Sequence, residues 1–285
     1  MEVQEYENFF KNFKIFKDKQ QKQKQRGLND FNLLTTVLKY DDEVRLHSRM
    51  IGNLINPNAK HYQDTLFLEI FIRKIGLENF GMDLSNTTIG IEYRDIDLYI
   101  TDGTKHIIIE NKIWAGDQPC QIMKYINIIV EENRSEFSNP SENDLIDDDL
   151  LRVIYLTPRS KEVSEEHSVD ENGYIYFNGS DARLTDCSKK ENTELLLPDG
   201  LKRYKAKYQK ISYQVHILEW LNESQKEVRN IINLNEAIQQ YIDVVKKVNG
   251  NPEGNVMRLK DFMLDNEELY EQAESMIKEL SVLKK

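Results

Sequence analysis

The sequence has 285 residues, of which 39% are hydrophobic and 31% are charged, which is typical of a folded globular protein and argues against general disorder. Its formal net charge of −11 excludes bulk attraction to nucleic acid or anionic lipid. A nucleic-acid partner would therefore be held by a local basic patch or through metal ions.

The sequence favours a cytoplasmic location. No apolar run approaches the roughly 20 residues that a membrane span needs, and no apolar signal segment is evident at the N-terminus. The two cysteines, Cys120 and Cys187, are far apart and have no CxxC spacing. This pattern predicts neither a zinc site nor a disulfide framework, and it fits a reducing compartment.

Residues 1–27 are predicted to form a helical, basic N-terminal arm. Aromatic side chains between Tyr6 and Phe16 recur at helical spacing, and the basic, glutamine-rich run 19–26 follows them. The run has two interpretations, which the sequence leaves open: a solvated helix end, or a basic arm beside a phosphate backbone.

Three helices are predicted before the first strand. The first runs through residues 31–38, with Asn29 or Asp30 as its cap, and the second covers residues 43–56, with Asp41 or Asp42 as its cap. The third covers residues 63–75 and is strongly amphipathic. Glu43 lies in the first turn of the second helix, where the helix dipole favours a carboxylate whatever its function.

The central stretch of the chain is predicted to form a strand hairpin. One strand runs from residue 89 to residue 100 and carries Asp97, and Asp102-Gly103 forms the turn. The other strand carries Glu110 and Lys112, which are two residues apart and therefore point to one face of the sheet.

A helix over residues 118–132, capped by Asp117, is predicted after the hairpin. Trp114 precedes it and is interpreted as a core or rim residue, with base stacking as the alternative. Three short strands are predicted downstream, over 151–158 beside the second central strand, over 173–177, and at a sheet edge over 211–213. The basic segment 201–210 is interpreted as a solvated loop or helix face, with a nucleic-acid contact as the alternative. With further helices at the C-terminal end, this order predicts an α/β sandwich with a small mixed sheet.

The sequence lacks a P-loop, a dinucleotide-binding glycine motif, a serine-hydrolase elbow and an HExxH motif. The remaining possibility is a site whose chemistry depends on carboxylate oxygens. Asp97 and Glu110 on adjacent strands, with Glu43 from a packed helix, would form a cluster of hard oxygen ligands suited to Mg²⁺ or Mn²⁺. Lys112 can orient or deprotonate an attacking water. These residues predict phosphodiester hydrolysis; the alternative is a structural salt bridge, which is a weak stabiliser when buried.

The same residues resemble the signature of the PD-(D/E)XK nuclease superfamily. Asp97 is followed, thirteen residues on, by the E-x-K of Glu110 and Lys112, at the end of the apolar strand IIIENKI. Gln121 and Tyr125 match the Q-x-x-x-Y motif of relatives of the RecB nuclease domain. The upstream helix also resembles that of an uncharacterised bacterial branch of the superfamily.

The resemblance covers about residues 28–248 and implies a single nuclease-like domain. Its fold would be a restriction-endonuclease-like α/β core, with a small mixed sheet flanked by helices and extra helices at the C-terminal end. Residues 249–285 would be a helical extension packed on the same domain, and residues 1–27 lie outside the likeness. Ile96 stands where the name-giving proline precedes the aspartate in the family.

The resemblance implies a metal site built from four residues. Asp97 and Glu110 would bind Mg²⁺ or Mn²⁺, aided by the main-chain carbonyl of Asn111. Glu43 would correspond to the helix-borne acid and would ligate the metal directly or through water.

The remaining matches imply how the substrate is handled. Lys112 would position the nucleophilic water, and Gln121 and Tyr125 would brace Lys112 and contact the phosphate backbone. The implied activity is hydrolysis of DNA, in defence against foreign DNA, by a homodimer or with a partner protein of a defence system. The alternatives are an RNA-directed nuclease and a non-catalytic binding or assembly module with a nuclease fold.

Overall fold

The computed structural model describes residues 3–27, 31–137, 145–158, 162–164, 166–188, 201–250, 259 and 267–283. The chain divides into two compact units, of which Leu33–Asn251 contains the sheet. The other unit combines Met1–Asn32 with Pro252–Lys285. The predicted domain boundary after residue 27 falls on residues 28–30, outside the described residues.

The smaller unit is built on a helix pair, α1 (Val3–Gln25) and α9 (Glu267–Leu283). Phe16 and Leu269 are its buried apolar side chains, and Phe9 and Phe13 pack against them. The predicted N-terminal helix is therefore confirmed. Its pairing with the last helix was not predicted, and the packing of residues 249–285 on the nuclease-like domain stays a prediction.

The larger unit is a mixed sheet flanked by helices, as predicted. The strands are β1 (Thr88–Tyr93), β2 (Ile96–Thr101), β3 (His106–Asn111), β4 (Leu151–Thr157), β5 (His167–Val169), β6 (Tyr174–Phe177) and β7 (Ala206–Ser212). Their order across the sheet is β1-β2-β3-β4-β7-β6-β5. The β3–β4 and β4–β7 pairs are parallel and the other pairs are antiparallel. The predicted position of β4 beside β3 is confirmed.

The helices of the larger unit are α2 (Leu33–Val37), α3 (Arg49–Ile55), α4 (Leu66–Lys74), α5 (Gln121–Glu132), α6 (Asp181–Ser188), α7 (Leu218–Glu227) and α8 (Ile232–Val248). Two of them follow directly on π-helical turns, Glu43–Ser48 before α3 and Tyr213–Ile217 before α7. Asp42 caps the first π-helical turn, since its Oδ1 accepts the N–H of Arg45 at 2.8 Å.

The sheet separates two apolar layers. Ile107 and Ile109 belong to the core shared with α3, α4, α7 and α8, whereas Ile108 between them belongs to the core shared with α5 and α6. The alternation follows from the two-residue period of a strand. β3 is therefore covered on both faces.

Gly52 lets α3 approach β1 closely, because a Cβ there would lie 2.6 Å from the Ile91 side chain.

The continuous strand predicted over 89–100 is wrong, because the chain turns back within it. Arg94 and Asp95 form a two-residue turn with φ of 54° and 67°, between the paired residues Tyr93 and Ile96. Left-handed turns of this kind are usually signalled by glycine, which is absent here. Arg94 is held by an ion pair to Glu132, with Nε 3.0 Å from Oε1.

The predicted edge strand at 211–213 is also wrong, because β7 begins at Ala206 and lies between β4 and β6. The second half of the basic segment 201–210 belongs to β7 and is therefore strand rather than loop or helix. The Lys207 ammonium lies 4.5 Å from the centre of the Tyr174 ring, so this charged side chain covers an aromatic neighbour.

Two predictions about the start of α5 are wrong. The helix begins at Gln121, and Asp117 is not its cap but accepts the Tyr155 hydroxyl at 2.8 Å. Cys120, just before the helix, forms a disulfide with Cys187 of α6, with their Cα atoms 6.2 Å apart. The prediction that the two cysteines do not pair is therefore wrong, because their separation of 67 positions in sequence does not report their distance in the fold.

No helix within the described part of the chain is long and apolar enough to cross a membrane.

His47 of the first π-helical turn is fully buried. Its Nε2 lies 2.8 Å from the Tyr40 carbonyl, which can only accept, so Nε2 carries the proton. Nδ1 then accepts from the Tyr241 hydroxyl at 3.0 Å. Burial lowers the pKa of His47 from 6.5 to about 4. The unfolded chain therefore binds the proton more readily, and the stability that His47 contributes above pH 6.5 is lost as the pH falls towards 4.

Replacing His47 with glutamine should reduce the acid sensitivity of the fold. Between pH 7 and pH 5 the wild type should lose about 2 kcal/mol more unfolding free energy than His47→Gln, because only the histidine gains a proton on unfolding. Urea unfolding at both pH values measures this difference. Equal pH dependence of wild type and His47→Gln would contradict the assignment.

Candidate active site

Asp97 and Glu110 face each other across the β2–β3 pair. The antiparallel register pairs Leu98 with Ile109, and its next step places Asp97 opposite Glu110. The Oδ2 atom of Asp97 accepts the backbone N–H of Asn111 at 2.8 Å, which ties the carboxylate to the end of β3. The structure therefore brings together the two acids that the sequence singled out.

Glu110 and Lys112 are a buried pair, with 0% and 6% of their surfaces exposed. The Lys112 Nζ lies 2.6 Å from Glu110 Oε1, although not in the alignment of a hydrogen bond. Glu110 Oε2 is also buried and has no hydrogen-bond partner among the described residues. A buried carboxylate with an unsatisfied oxygen is costly, which argues against a purely structural role.

The pKa values in this cluster show a shortage of positive charge. Burial, followed by the Asp97 charge, raises the pKa of Glu110 to about 8. Burial raises the pKa of Asp97 to about 6, against the opposing hydrogen bond from Asn111. Burial alone would lower the pKa of Lys112, but the attraction of Glu110 and Asp97 outweighs it and raises that pKa. Lys112 therefore keeps its proton, and the two acids would be satisfied by a cation.

Glu43 contacts the loop that follows β3. Its Oε1 accepts the backbone N–H groups of Ile113, Trp114 and Ala115 at 2.6, 2.9 and 3.0 Å. Charge-assisted bonds of this kind are strong. They place the helix-borne acid directly beside the E-x-K strand and use one of its two oxygens.

The side chain of Asn111 joins three elements, a role that sequence reasoning missed. Its Nδ2 donates to the Glu43 carbonyl at 3.2 Å and to the Ser48 hydroxyl at 3.1 Å. Its Oδ1 accepts the Tyr213 hydroxyl at 2.7 Å. No sequence signal links Asn111 to Tyr213, because the two lie 102 positions apart and meet only in the fold.

Gln121 and Tyr125 form a short chain of hydrogen bonds. The Gln121 amide donates to the Tyr125 hydroxyl at 2.8 Å, and that hydroxyl donates to the Asp95 carbonyl at 2.6 Å. In the described residues neither side chain is hydrogen-bonded to Lys112. The motif instead holds the left-handed turn from which Asp97 follows two residues later.

The donor set fits a magnesium or manganese ion. No three His, Cys, Asp or Glu side chains in the described residues are grouped closely enough to enclose a metal. Mg²⁺, however, is usually held by one or two carboxylates, with water and substrate phosphate completing its coordination. Asp97 and Glu110 supply two such carboxylates, and the buried, unsatisfied Oε2 of Glu110 is an oxygen that a cation would satisfy.

Comparison with known protein families gives one match. The family model of the PD-(D/E)XK nuclease superfamily matches residues 29–243, which contain every residue of the candidate site. No curated protein and no solved structure gives a significant match.

Tyr125→Phe should destabilise the protein by about 1–3 kcal/mol, because it leaves the Asp95 carbonyl and the Gln121 amide without a partner. Chemical unfolding measures the loss. Tyr174→Phe is the matched control, since its hydroxyl bonds to Asp148 at a half-exposed position and its removal should cost no more than about 0.5 kcal/mol. Equal losses in the two variants would show that the Tyr125 hydroxyl does not stabilise the turn.

Proposed function

The chain belongs to the PD-(D/E)XK nuclease superfamily, and we propose that it is a metal-dependent nuclease that hydrolyses phosphodiester bonds of DNA. One observation carries the proposal: the carboxylates of Asp97 and Glu110 converge across two strands, with the Lys112 ammonium 2.6 Å from Glu110. Such a buried group of charges does little for stability. Its composition suits attack of water on a phosphate.

Asp97 and Glu110, with the main-chain carbonyl of Asn111, would hold Mg²⁺ or Mn²⁺. When bound, such an ion polarises the phosphate and lowers the pKa of a coordinated water. The hydrogen bond from the Asn111 N–H orients the Asp97 carboxylate at 2.8 Å, and the β2–β3 pair holds the two acids at a fixed separation. The chain thus preorganises the ligands on strands rather than on loops.

Lys112 would position the attacking water. Its ammonium has three donors, of which Glu110 occupies one direction, and its buried position limits where the others point. The remaining N–H groups can hold a water next to the scissile phosphate or offset the charge that develops there. Glu43 supports this arrangement, because its Oε1 fixes the loop after Lys112 and its Oε2 can receive a hydrogen bond from water.

Gln121 and Tyr125 are consistent with the RecB-like subtype, which we also propose. Their hydrogen-bond chain ends on the Asp95 carbonyl and so fixes the strand that carries Asp97. In this chain they would act first by positioning the metal ligand, with the phosphate backbone as a further contact of the Gln121 amide.

Local charge offsets the acidic balance of the whole chain. Residues 11–26 contain seven Lys or Arg residues and one Asp, in a chain whose net charge is −11. Lys11, Lys19, Lys22 and Arg26 are exposed and recur at helical spacing, on the side of α1 away from its phenylalanines. This basic stripe supports attraction to a phosphate backbone.

The predicted role in defence against foreign DNA, the cytoplasmic location, and assembly as a homodimer or with a partner protein stay predictions. RNA as the substrate is the alternative that shares the same chemistry.

Removing the Glu110–Lys112 pair should abolish cleavage. Plasmid and linear duplex DNA incubated with Mg²⁺ or Mn²⁺ should be cut at least about 100-fold more slowly by Glu110→Ala and by Lys112→Ala, because water is no longer held or activated. The ion pair of Arg73 in α4 with Glu223 in α7 supplies the control, since Glu223→Gln with Arg73→Met should cleave like wild type.

Loss of one buried charge can itself unfold a protein. The double variant Glu110→Gln with Lys112→Met removes both charges together and should stay folded by circular dichroism while remaining inactive. Wild-type cleavage rates in this folded double variant would refute the assignment.

A non-catalytic module with the same fold would show no specific metal site. Calorimetric titration should detect Mn²⁺ binding to wild type and a loss of at least about tenfold in affinity for Asp97→Ala, because one of two anionic ligands is gone. Asp83→Ala is the control, since the Asp83 side chain bonds only locally to Ser85. Absence of binding to wild type would favour the binding or assembly module.

A further inference from the structure

Trp114 is exposed at the candidate site. Its side chain has 52% of its surface exposed, two residues after the buried Lys112. Its backbone N–H donates to Glu43 Oε1 at 2.9 Å, and the N–H of Ala115 donates to the same oxygen at 3.0 Å. Of the positions predicted for Trp114, core or rim, the core position is therefore wrong. The backbone that carries the indole is held in place while the ring itself faces solvent.

Among the described residues, the indole of Trp114 has no aromatic or cationic partner. Trp220 shows the usual situation of a structural tryptophan, since it is fully buried and its Nε1 donates to the Phe67 carbonyl at 2.9 Å. A large flat apolar ring left in water beside a group of charged side chains needs a different explanation from packing.

We propose that Trp114 is a nucleobase-stacking subsite, and this inference rests on the proposed function. A phosphodiester seated at Asp97 and Glu110 brings its flanking nucleotides to the loop after Lys112. An exposed indole there can stack on a base, because every base presents an apolar face. Bases inside a duplex are already stacked, so the subsite selects nucleic acid with an unpaired base beside the cleaved bond.

The neighbouring residues favour a base over a protein partner. Along the chain, Trp114 is followed by the small residues Ala115 and Gly116 and by the exposed Gln118, so this segment offers no second large apolar side chain beside the ring. In protein interfaces, such aromatic anchors lie within a larger apolar core that is depleted of charged residues. A single exposed ring two residues after the Lys112 ammonium instead resembles the combination of base stacking and positive charge used for single strands.

Tryptophan fluorescence gives a direct test, because the protein contains only two tryptophans. Trp220 is buried against Phe71, with ring centroids 5.2 Å apart, and supplies a constant background. With EDTA present to prevent cleavage, a 20-nucleotide oligo(dT) should quench the emission of Trp114 in wild type. The matching oligo(dT)·oligo(dA) duplex should quench it less, and oligo(U) distinguishes RNA from DNA as the source of the base.

Three variants separate stacking from general binding. By fluorescence anisotropy of labelled oligo(dT), Trp114→Ala should bind about tenfold more weakly, the affinity that 1.4 kcal/mol of stacking corresponds to. Trp114→Phe should bind nearly as wild type but without the quenching. Tyr62→Ala, which removes another exposed ring (83% exposed), should change neither signal.

The outcomes distinguish this inference from the proposed function. Binding by anisotropy without quenching of Trp114, or wild-type affinity of Trp114→Ala, overturns the stacking subsite alone. Absence of binding to every nucleic acid, together with absence of cleavage, overturns the proposed function and the subsite with it. Quenching that is equal for single strand and duplex overturns the selection for unpaired bases.

Discussion

The structure depends on burying a carboxylate and an ammonium at the end of the strand β3, directly after its run of three isoleucines. Glu110 and Lys112 follow three fully buried isoleucines, and helices cover β3 on both faces. In such surroundings two opposite charges attract strongly, but removing both from water costs a comparable free energy. The pair alone leaves Glu110 Oε2 unsatisfied, so the fold supports an arrangement that a cation and a water would complete.

The supporting contacts explain how the charges are held. Most of them run through the backbone: the Asn111 N–H binds Asp97, three loop N–H groups bind Glu43, and the Asp95 carbonyl accepts from Tyr125. Backbone groups lose little conformational entropy when they are already fixed by a sheet. The site therefore acquires its rigidity from β2 and β3. The side chains that add to it, Asn111 and Tyr125, act by linking elements of the fold.

Prediction from sequence succeeded where a local sequence pattern determines the secondary structure. The E-x-K strand, its neighbour β4 and the capped turn at Asp42 all follow from periodicity or capping chemistry. Prediction failed where contacts between residues far apart in sequence determine the local structure. The turn at Arg94 and Asp95 has no glycine and is stabilised by Glu132 and Tyr125 from α5, about thirty or more positions away. The Cys120–Cys187 disulfide likewise depends on the tertiary fold, because the spacing of the two cysteines in sequence does not reveal that they meet.

An acidic chain that cleaves a polyanion needs residues that attract the substrate and that differ from the acidic residues of its metal site. The residues that would bind metal are acids, which in their ionised form repel the phosphate they would cleave. Attraction can come from the basic stripe of α1, which weakens as salt screens it. Stacking on Trp114 has the complementary property, because it depends on an apolar face rather than on net charge. An exposed indole beside Glu43 is thus a physically reasonable way for this site to retain a nucleotide that its own carboxylates repel.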